Sequence, residues 1–596
     1  MSTYKAPLAD MRFVMFDLLQ LDAQYARIDG GANATRDVVD AILDEAAKFA
    51  ETVLAPLNAP GDEQGCTLDK ATGAVTTPPG FKDAYAKYID GGWSGLTAPE
   101  AYGGQHLPES IGAPLKEMLD SANLSWGNFP LLSHGATEAL RLHGEEWQRV
   151  AFLKPIVEGR WTGTMCLTEP HCGSDLGLLK TRAEPEPDGT HRISGTKIFI
   201  TAGEHDLTQN IVHLVLARLP DAPAGVKGIS LFIVPKHKVD KSGNVGARNA
   251  VSCGAIEHKM GIHASVTCVM NFDGAQGYLI GAPNKGLNAM FTMMNTARLA
   301  VGIQGLGLIE RAYQGSLAHA RERLQGRALS GAKFPDRPAD PLIVHPDIRR
   351  MLLTQKSFAE GGRALAYYAA SLVDLVERSA DAAERKRADE LLSFIIPIVK
   401  ALLTEAANEC TYHAVQIFGG HGYIHETGME QFARDARITS IYEGTTQIQA
   451  LDLLGRKIMQ TQGVGLKHFL EEIGAFCQAN IGNAAVQEFV APLATIAKQW
   501  ADLTQEIGKR AAVNPDEIGV CAVDYLFYSG YIALAYFWAR SVAAAEGSAQ
   551  AREFKQAKLG TARFYFARIL PRTLAHAAAM RANPDSLMAI PAEQFG

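Results

Sequence analysis

Apolar residues recur at helical spacing from Asp37 to Ala46, and the same pattern, punctuated by turns such as Pro79-Gly80, runs through the first 160 residues. It changes near Trp161. From Met165 to Gly281 the chain favours short β-branched runs bounded by Gly, Asp, Asn or Pro. Residues 198–201, 211–216 and 229–234 are the clearest, and they predict strands. Helical spacing returns at Leu287 and continues to about residue 465, and an alanine-rich helical region follows to residue 596. Residues 327 to 346, with Pro335, Pro338, Pro341 and Pro346, predict an exposed loop. The order is helices, strands, helices and more helices, with a β-domain between helical regions as the layered solution. Ile518 to Ala539 is just long enough to span a bilayer, but Asp524 and several tyrosines interrupt it. It reads as a buried helix of a bundle.

Composition narrows the class. The chain has 596 residues, 47% of them hydrophobic, a net charge of −7 and dispersed basic residues. That balance argues against nucleic acid as the main partner. The eight cysteines lack CxxC spacing and read as reduced thiols, which points to the cytoplasm. The sequence after Met1 carries no basic stretch followed by an apolar core, so no signal or transit peptide is expected.

Two segments carry the chemistry. Ile441-Tyr442-Glu443-Gly444-Thr445 sets one carboxylate between an aromatic residue and a glycine. Thr168-Glu169-Pro170-His171-Cys172-Gly173-Ser174-Asp175 follows a predicted strand, where backbone N–H groups and a hydroxyl can approach an anion. Alone, Gly-Ser-Asp is also a common turn. His421 and His425 share a face only if helical, and the surrounding glycines predict a loop, so no metal site is expected. Gly302, Gly305 and Gly307 follow no strand and are expected to serve helix packing.

Further segments join these: Gly195 to Thr201, Arg298, Glu322 to Gly326, Gln416 to Tyr423, Arg434 to Ala436 and Tyr442 to Gln447. In order and spacing the set resembles the acyl-CoA dehydrogenase family over residues 35 to 460. The resemblance implies an α+β fold: an N-terminal helical domain, a central β-domain and a C-terminal four-helix bundle, plus an extra helical domain here. The expected divisions are 1–34 (extension), 35–164, 165–285, 286–465 and 466–596. It implies FAD as cofactor, with contacts from Thr168, Ser174, Phe199 (where the family usually has Trp), Thr201, Arg323, Gln325, Gln416, Gly419, Gly420, Thr445 and Gln447. Ser174, Asn295, Arg298, Tyr442 and Gly444 match positions that meet the acyl-CoA substrate.

The resemblance assigns Glu443 as the base that takes the α-proton, while flavin N5 accepts the hydride from Cβ and a trans-2-enoyl-CoA forms. Some members carry the base one residue before the matching arginine; that position is Ala297, which cannot serve. Electrons are expected to pass to an electron-transfer flavoprotein. The departures are Cys172, Gln431 and the missing Phe before Gly326, and they weaken the assigned contacts of residues 323 to 345. Both extended ends resemble a long bacterial subgroup that includes 3-methylmercaptopropionyl-CoA dehydrogenases, and imply a homodimer. The substrate expected is a linear fatty acyl-CoA, with 3-methylthiopropionyl-CoA as the alternative. An acyl-CoA oxidase and a DNA-binding flavoprotein are the rival activities. Arg552, Lys555, Arg563, Arg568, Arg572 and Arg581 are expected to form a solvated helix face, because residues 466–596 hold equal numbers of basic and acidic residues.

Overall fold

The computed structural model describes residues 4–596; Met1 to Thr3, the start of the N-terminal extension, lie outside the described residues. The chain forms two compact units. One comprises Met1–Ala47, Pro108–Ser121 and Val301–Gly596, the other Lys48–Leu107 and Ala122–Ala300.

The second unit is built on strands. A hairpin of β1 (Thr67–Leu68) and β2 (Val75–Thr76), which the sequence pattern did not reveal, precedes the main sheet. That sheet has seven strands: β3 (Trp161–Cys166), β4 (Arg182–Pro185), β5 (His191–Thr201), β6 (Asn210–Arg218), β7 (Ile229–Pro235), β10 (Val251–Ile256) and β11 (Thr267–Ile280). The strands β8 (His237–Val239) and β9 (Val245–Arg248) pair separately. Spatial order is β10-β11-β5-β4-β6-β3, with β7 pairing β11 and β6. Nearly every residue of β6 and β7 is buried, which is why both read as continuous apolar runs rather than alternating ones. β5 pairs antiparallel with β11, but the register shifts between Cys268 and Met270, so that Ile198 and Phe199 stand opposite Val269 alone. This bulge bends β5 and turns Phe199 to φ +59°.

The first unit is helical. It contains the start of α1 (Glu109–His143), most of α2 (Gly286–Glu322), α3 (Pro346–Arg378), α4 (Ala382–Phe418), α5 (Met429–Thr439) and α6 (Thr446–Leu451). Then come α7 (Val464–Ala479), α8 (Gln487–Ala511), α9 (Asp516–Gly547), α10 (Arg552–Phe564) and α11 (Arg572–Arg581). The glycines of α2 do serve close packing. A Cβ on Gly302 would lie 2.7 Å from Val399 Cγ1, and one on Gly305 would lie 2.7 Å from the Leu403 carbonyl oxygen. Asp374 caps α1, accepting from the Glu109 N–H at 2.5 Å and from the Ser110 N–H and hydroxyl.

Helix α9 is apolar enough in composition to cross a membrane, yet 67% of its most apolar stretch is buried in the protein. It packs on α3, α4, α8 and α11, and Asp524 is taken up by His576 Nδ1 at 2.8 Å. The basic face is solvated as expected: Arg552, Arg563, Arg568 and Arg581 are exposed, with Arg563 paired to Glu488 and Arg581 to Glu506 at the surface, while half-buried Arg572 pairs with Glu409. The acidic partners are distant in sequence, so the pairing, unlike the exposure, is not visible in a local reading of the last helices.

A sealed ionic cluster joins the two ends of the chain to the bundle. Arg363, fully buried, bonds Glu117 (2.5 Å), Glu310 (2.7 Å) and Asp10. Lys558, on α10, reaches the same Asp10 and also Glu360 at 2.7 Å. Tyr367 donates to Glu117 at 2.6 Å. Each buried charge meets an opposite one, the condition under which such groups are tolerated.

Candidate active site

In the β unit, the loop after β3 is shaped by Glu169. Its backbone pairs with Cys172 through two hydrogen bonds of 2.9 and 3.1 Å, closing a tight turn. Its carboxylate accepts from Lys197 Nζ (2.8 Å), Thr181 Oγ1 (2.6 Å), the Thr181 N–H (3.0 Å) and the Lys180 N–H (2.8 Å). Burial pushes this carboxyl's pKa up, but the Lys197 ammonium and the other donors outweigh it and hold it at about 2. Thr168 is tied to β5 through its carbonyl, which accepts from the Ile198 N–H at 2.9 Å. Ser174 is exposed, and Asp175 accepts from the Gly177 N–H. Glu169, His171 and Cys172 bring ligand-type atoms within 4.8 Å of one another. The four donors already on Glu169, one of them a buried ammonium, put positive charge where a cation would sit.

Along β5, Phe199 is 60% exposed despite being aromatic, and Thr201 is half-buried beyond it. Asn295 is exposed and Arg298 buried on α2, with Ala297 buried before it.

In the helical unit, α5 ends at Ser440 and a short turn leads into α6, whose N-cap is Thr445, accepting from the Ile448 N–H. Glu443 and Gly444 are both left-handed, at φ +55° and +92°. Such a φ is uncommon for a residue with a side chain, and the turn is pinned from several directions. The Glu443 carbonyl accepts from Gln449 Nε2 at 3.0 Å, and the Gly444 carbonyl accepts from Lys400 Nζ at 2.7 Å. Tyr442 donates to Gln304 Oε1 at 2.5 Å, and Gln304 bonds Asp120. Burial, then the charges of Asp120, Glu443 and Asp435, push the Tyr442 phenol well above its usual range, so it serves as a donor. Glu443 itself is half-buried.

The remaining predicted residues lie at exposed helix ends. Gln416 precedes the end of α4, and Gly419 (φ +62°) and Gly420 have open space where a Cβ would stand. Arg323 and Gln325 follow α2, just before the proline-rich loop, and Gln447 is exposed on α6. That loop is mostly exposed, as expected, but it is wound around buried Asp340, which accepts from the Ala328, Lys333 and Phe334 N–H groups. Asp340, Lys197, Lys400, Gln304 and Gln449 were missed from the sequence. Lys400 had a signal, because it is the one charge within Phe394 to Leu403.

The chain thus carries a central sheet flanked in sequence by helical regions, with a left-handed glutamate turn in the later bundle. Family models match four stretches between residues 37 and 591: acyl-CoA dehydrogenase N-terminal domain at 37–160, middle domain at 164–275, C-terminal domain at 284–459, and an acetyl-CoA dehydrogenase C-terminal-like domain at 469–591. The chain belongs to the acyl-CoA dehydrogenase family, oxidoreductases acting on the CH–CH bond of acyl-CoA thioesters. It is 43% identical to the 3-methylmercaptopropionyl-CoA dehydrogenase of Ruegeria pomeroyi, over 98% of this chain and 99% of that protein. It is 35% identical to a butyryl-CoA dehydrogenase of Syntrophomonas wolfei, over 94% of each. Among solved structures, Caenorhabditis elegans ACDH-11 in complex with C11-CoA matches in fold with a TM-score of 0.78 at 20% identity, covering 95% of this chain and 92% of that one.

Proposed function

We propose that this protein is an FAD-dependent dehydrogenase of short linear acyl-CoA thioesters, with Glu443 as the base that removes the α-proton. The observation that carries the reading is the Glu443 turn: a half-buried carboxylate on a left-handed backbone held through two successive carbonyls. An α-proton beside a thioester is a poor acid, so its removal needs a fixed, partly desolvated base. FAD, when bound, supplies the acceptor for the hydride that leaves Cβ, and the product is the trans-2-enoyl-CoA. The residues suit that cofactor. Phe199 leaves an aromatic side chain uncovered, as a planar ring partner needs, and Gly419 and Gly420 leave backbone open to close approach.

On this reading Thr168, Ser174, Phe199, Thr201, Arg323, Gln325, Gln416, Gly419, Gly420, Thr445 and Gln447 serve the flavin. Ser174, Asn295, Arg298, Tyr442 and Gly444 serve the thioester. The domains divide near residues 34, 164, 285 and 465. The electrons leave through an electron-transfer flavoprotein, and the protein works in the cytoplasm as a homodimer.

A second substrate, 3-methylthiopropionyl-CoA, is favoured by the 43% identity to the Ruegeria enzyme. Its thioether chain has the size of a short linear acyl group, and an apolar pocket separates two such chains by only about 1–3 kcal/mol. Anaerobic titration of the purified flavoprotein with acyl-CoAs of rising length, the thioether among them, tests the reading. Rapid bleaching of the flavin, fastest with a chain of about butyryl length, is expected; no bleaching by any thioester refutes it. Oxygen uptake during turnover without an added acceptor would identify an oxidase instead.

A further inference from the structure

We propose that Lys400 and Gln449 are positioning residues for Glu443, each holding one of the two carbonyls that define its turn. The proposal rests on the reading of Glu443 as the base. Lys400 sits in the middle of α4, flanked by Ile396, Val399, Leu402 and Leu403, and none of it is accessible to solvent. An ammonium in such a place is costly unless it is engaged, and one of its engagements is the Gly444 carbonyl, at 2.7 Å. This bond joins the core of the bundle to the peptide that follows Glu443.

Gln449 supplies an independent observation. Its side chain is fully buried, its Nε2 donates to the Glu443 carbonyl at 3.0 Å, and its Oε1 has no hydrogen-bond partner. A buried amide that leaves one end unsatisfied needs a reason for being there. Rotating the amide would set its oxygen against the carbonyl, so the donor orientation follows from the contact. The reason is the turn itself. A Cβ on Gly444 would lie 2.6 Å from Gln449 Nε2, so glycine at 444 is what lets the amide come close.

The two donors act on neighbouring peptides, and together they fix the orientation of the one between Glu443 and Gly444. That peptide is set by ψ of Glu443 and φ of Gly444, so the two donors hold in place the left-handed backbone on which Glu443 stands, and with it the direction of its side chain. Without them the glutamate relaxes toward ordinary backbone angles and its carboxylate swings away from the reacting carbon. Misplacement of a reacting group by about 1 Å costs on the order of 100-fold in rate. Neither residue touches the substrate on this account; both act through Glu443.

The test uses the full-length holoenzyme and two variants. Lys400→Met keeps length and apolar character while removing the donor; Gln449→Leu removes a donor together with an unsatisfied oxygen, and so is the variant better suited to fold. Stopped-flow bleaching by saturating butyryl-CoA, the affinity for that thioester, the FAD content and the deuterium isotope effect at Cα are measured for each. The expected result is bleaching slowed about 10–100-fold, affinity and FAD content near those of the parent, and a larger isotope effect as proton removal limits the rate. Bleaching within about twofold of the parent in Gln449→Leu overturns the proposal, whatever Lys400→Met does. So does a loss of rate that merely follows a loss of FAD or of thioester affinity. Glu443→Gln, run in parallel, separates the two readings: if that variant still bleaches with acyl-CoA, the base assignment fails first.

Discussion

Two loops in this molecule carry a glutamate and are braced by a buried lysine, and they use the lysine differently. After β3, Lys197 grips the Glu169 carboxylate itself, and three further donors complete the set. Between α5 and α6, Lys400 grips a backbone carbonyl, and the turn it holds carries Glu443 at a left-handed φ. The first glutamate is a strut whose charge is consumed in shaping a loop. The second stands on a backbone that other residues keep in shape. On the proposed reading, the difference between a strut and a base lies less in the neighbours along the chain than in what the brace holds on to.

Substitution separates the two roles. Glu443→Gln should slow flavin bleaching by acyl-CoA by roughly 10²–10⁴-fold while FAD stays bound; a variant that bleaches at the parent's rate would make Glu443 another strut. Glu169→Gln leaves the Lys197 ammonium buried without its counter-charge and should cost about 3 kcal/mol of stability, seen as a lower melting temperature. A melting temperature equal to the parent's would show that the four donors do not depend on the charge.

Gly444→Ala forces a side chain into a left-handed position and against Gln449, at a cost of about 1–3 kcal/mol. It should appear as slower bleaching together with weaker thioester binding, since Gly444 also serves the thioester on the proposed reading; a parent-like rate and affinity would contradict both roles. The smallest effect concerns pH. The Glu169 carboxyl falls from an ordinary value of 4.5 to about 2 in the folded protein. Its contribution is therefore complete above pH 4.5 and is lost as pH falls from there toward 2. Melting temperatures taken across that window should fall more steeply for the parent than for Glu169→Gln, and parallel curves would contradict the assignment.

Much of this was legible in the sequence because it is local. Helical spacing, the apolar runs of β6 and β7, and the motifs around Thr168 and Glu443 all lie within short windows. The braces were not legible, since each joins residues far apart: Lys197 to Glu169 across a strand and a loop, Lys400 to Gly444 across α5. Phe199 was read as a flavin neighbour by resemblance, but its exposure comes from a bulge set by the pairing of β5 with β11, which no single strand reveals. The ion pairs of the last helices were hidden for the same reason. Their arginines read as solvent-facing and most are, but the partners Glu409, Glu488 and Glu506 are found only after folding.

The ionic cluster around Arg363 imposes a schedule as well as a structure. Asp10 has its partner, Lys558, 548 positions further along the chain. At roughly 5–20 residues per second, the ribosome takes on the order of a minute to make the second after the first. During that interval Asp10 and, once made, Glu360 await a charge that does not yet exist, so this part of the interior closes only after α10 has been made. A chain cut short before α10 lacks the charge that completes its own interior.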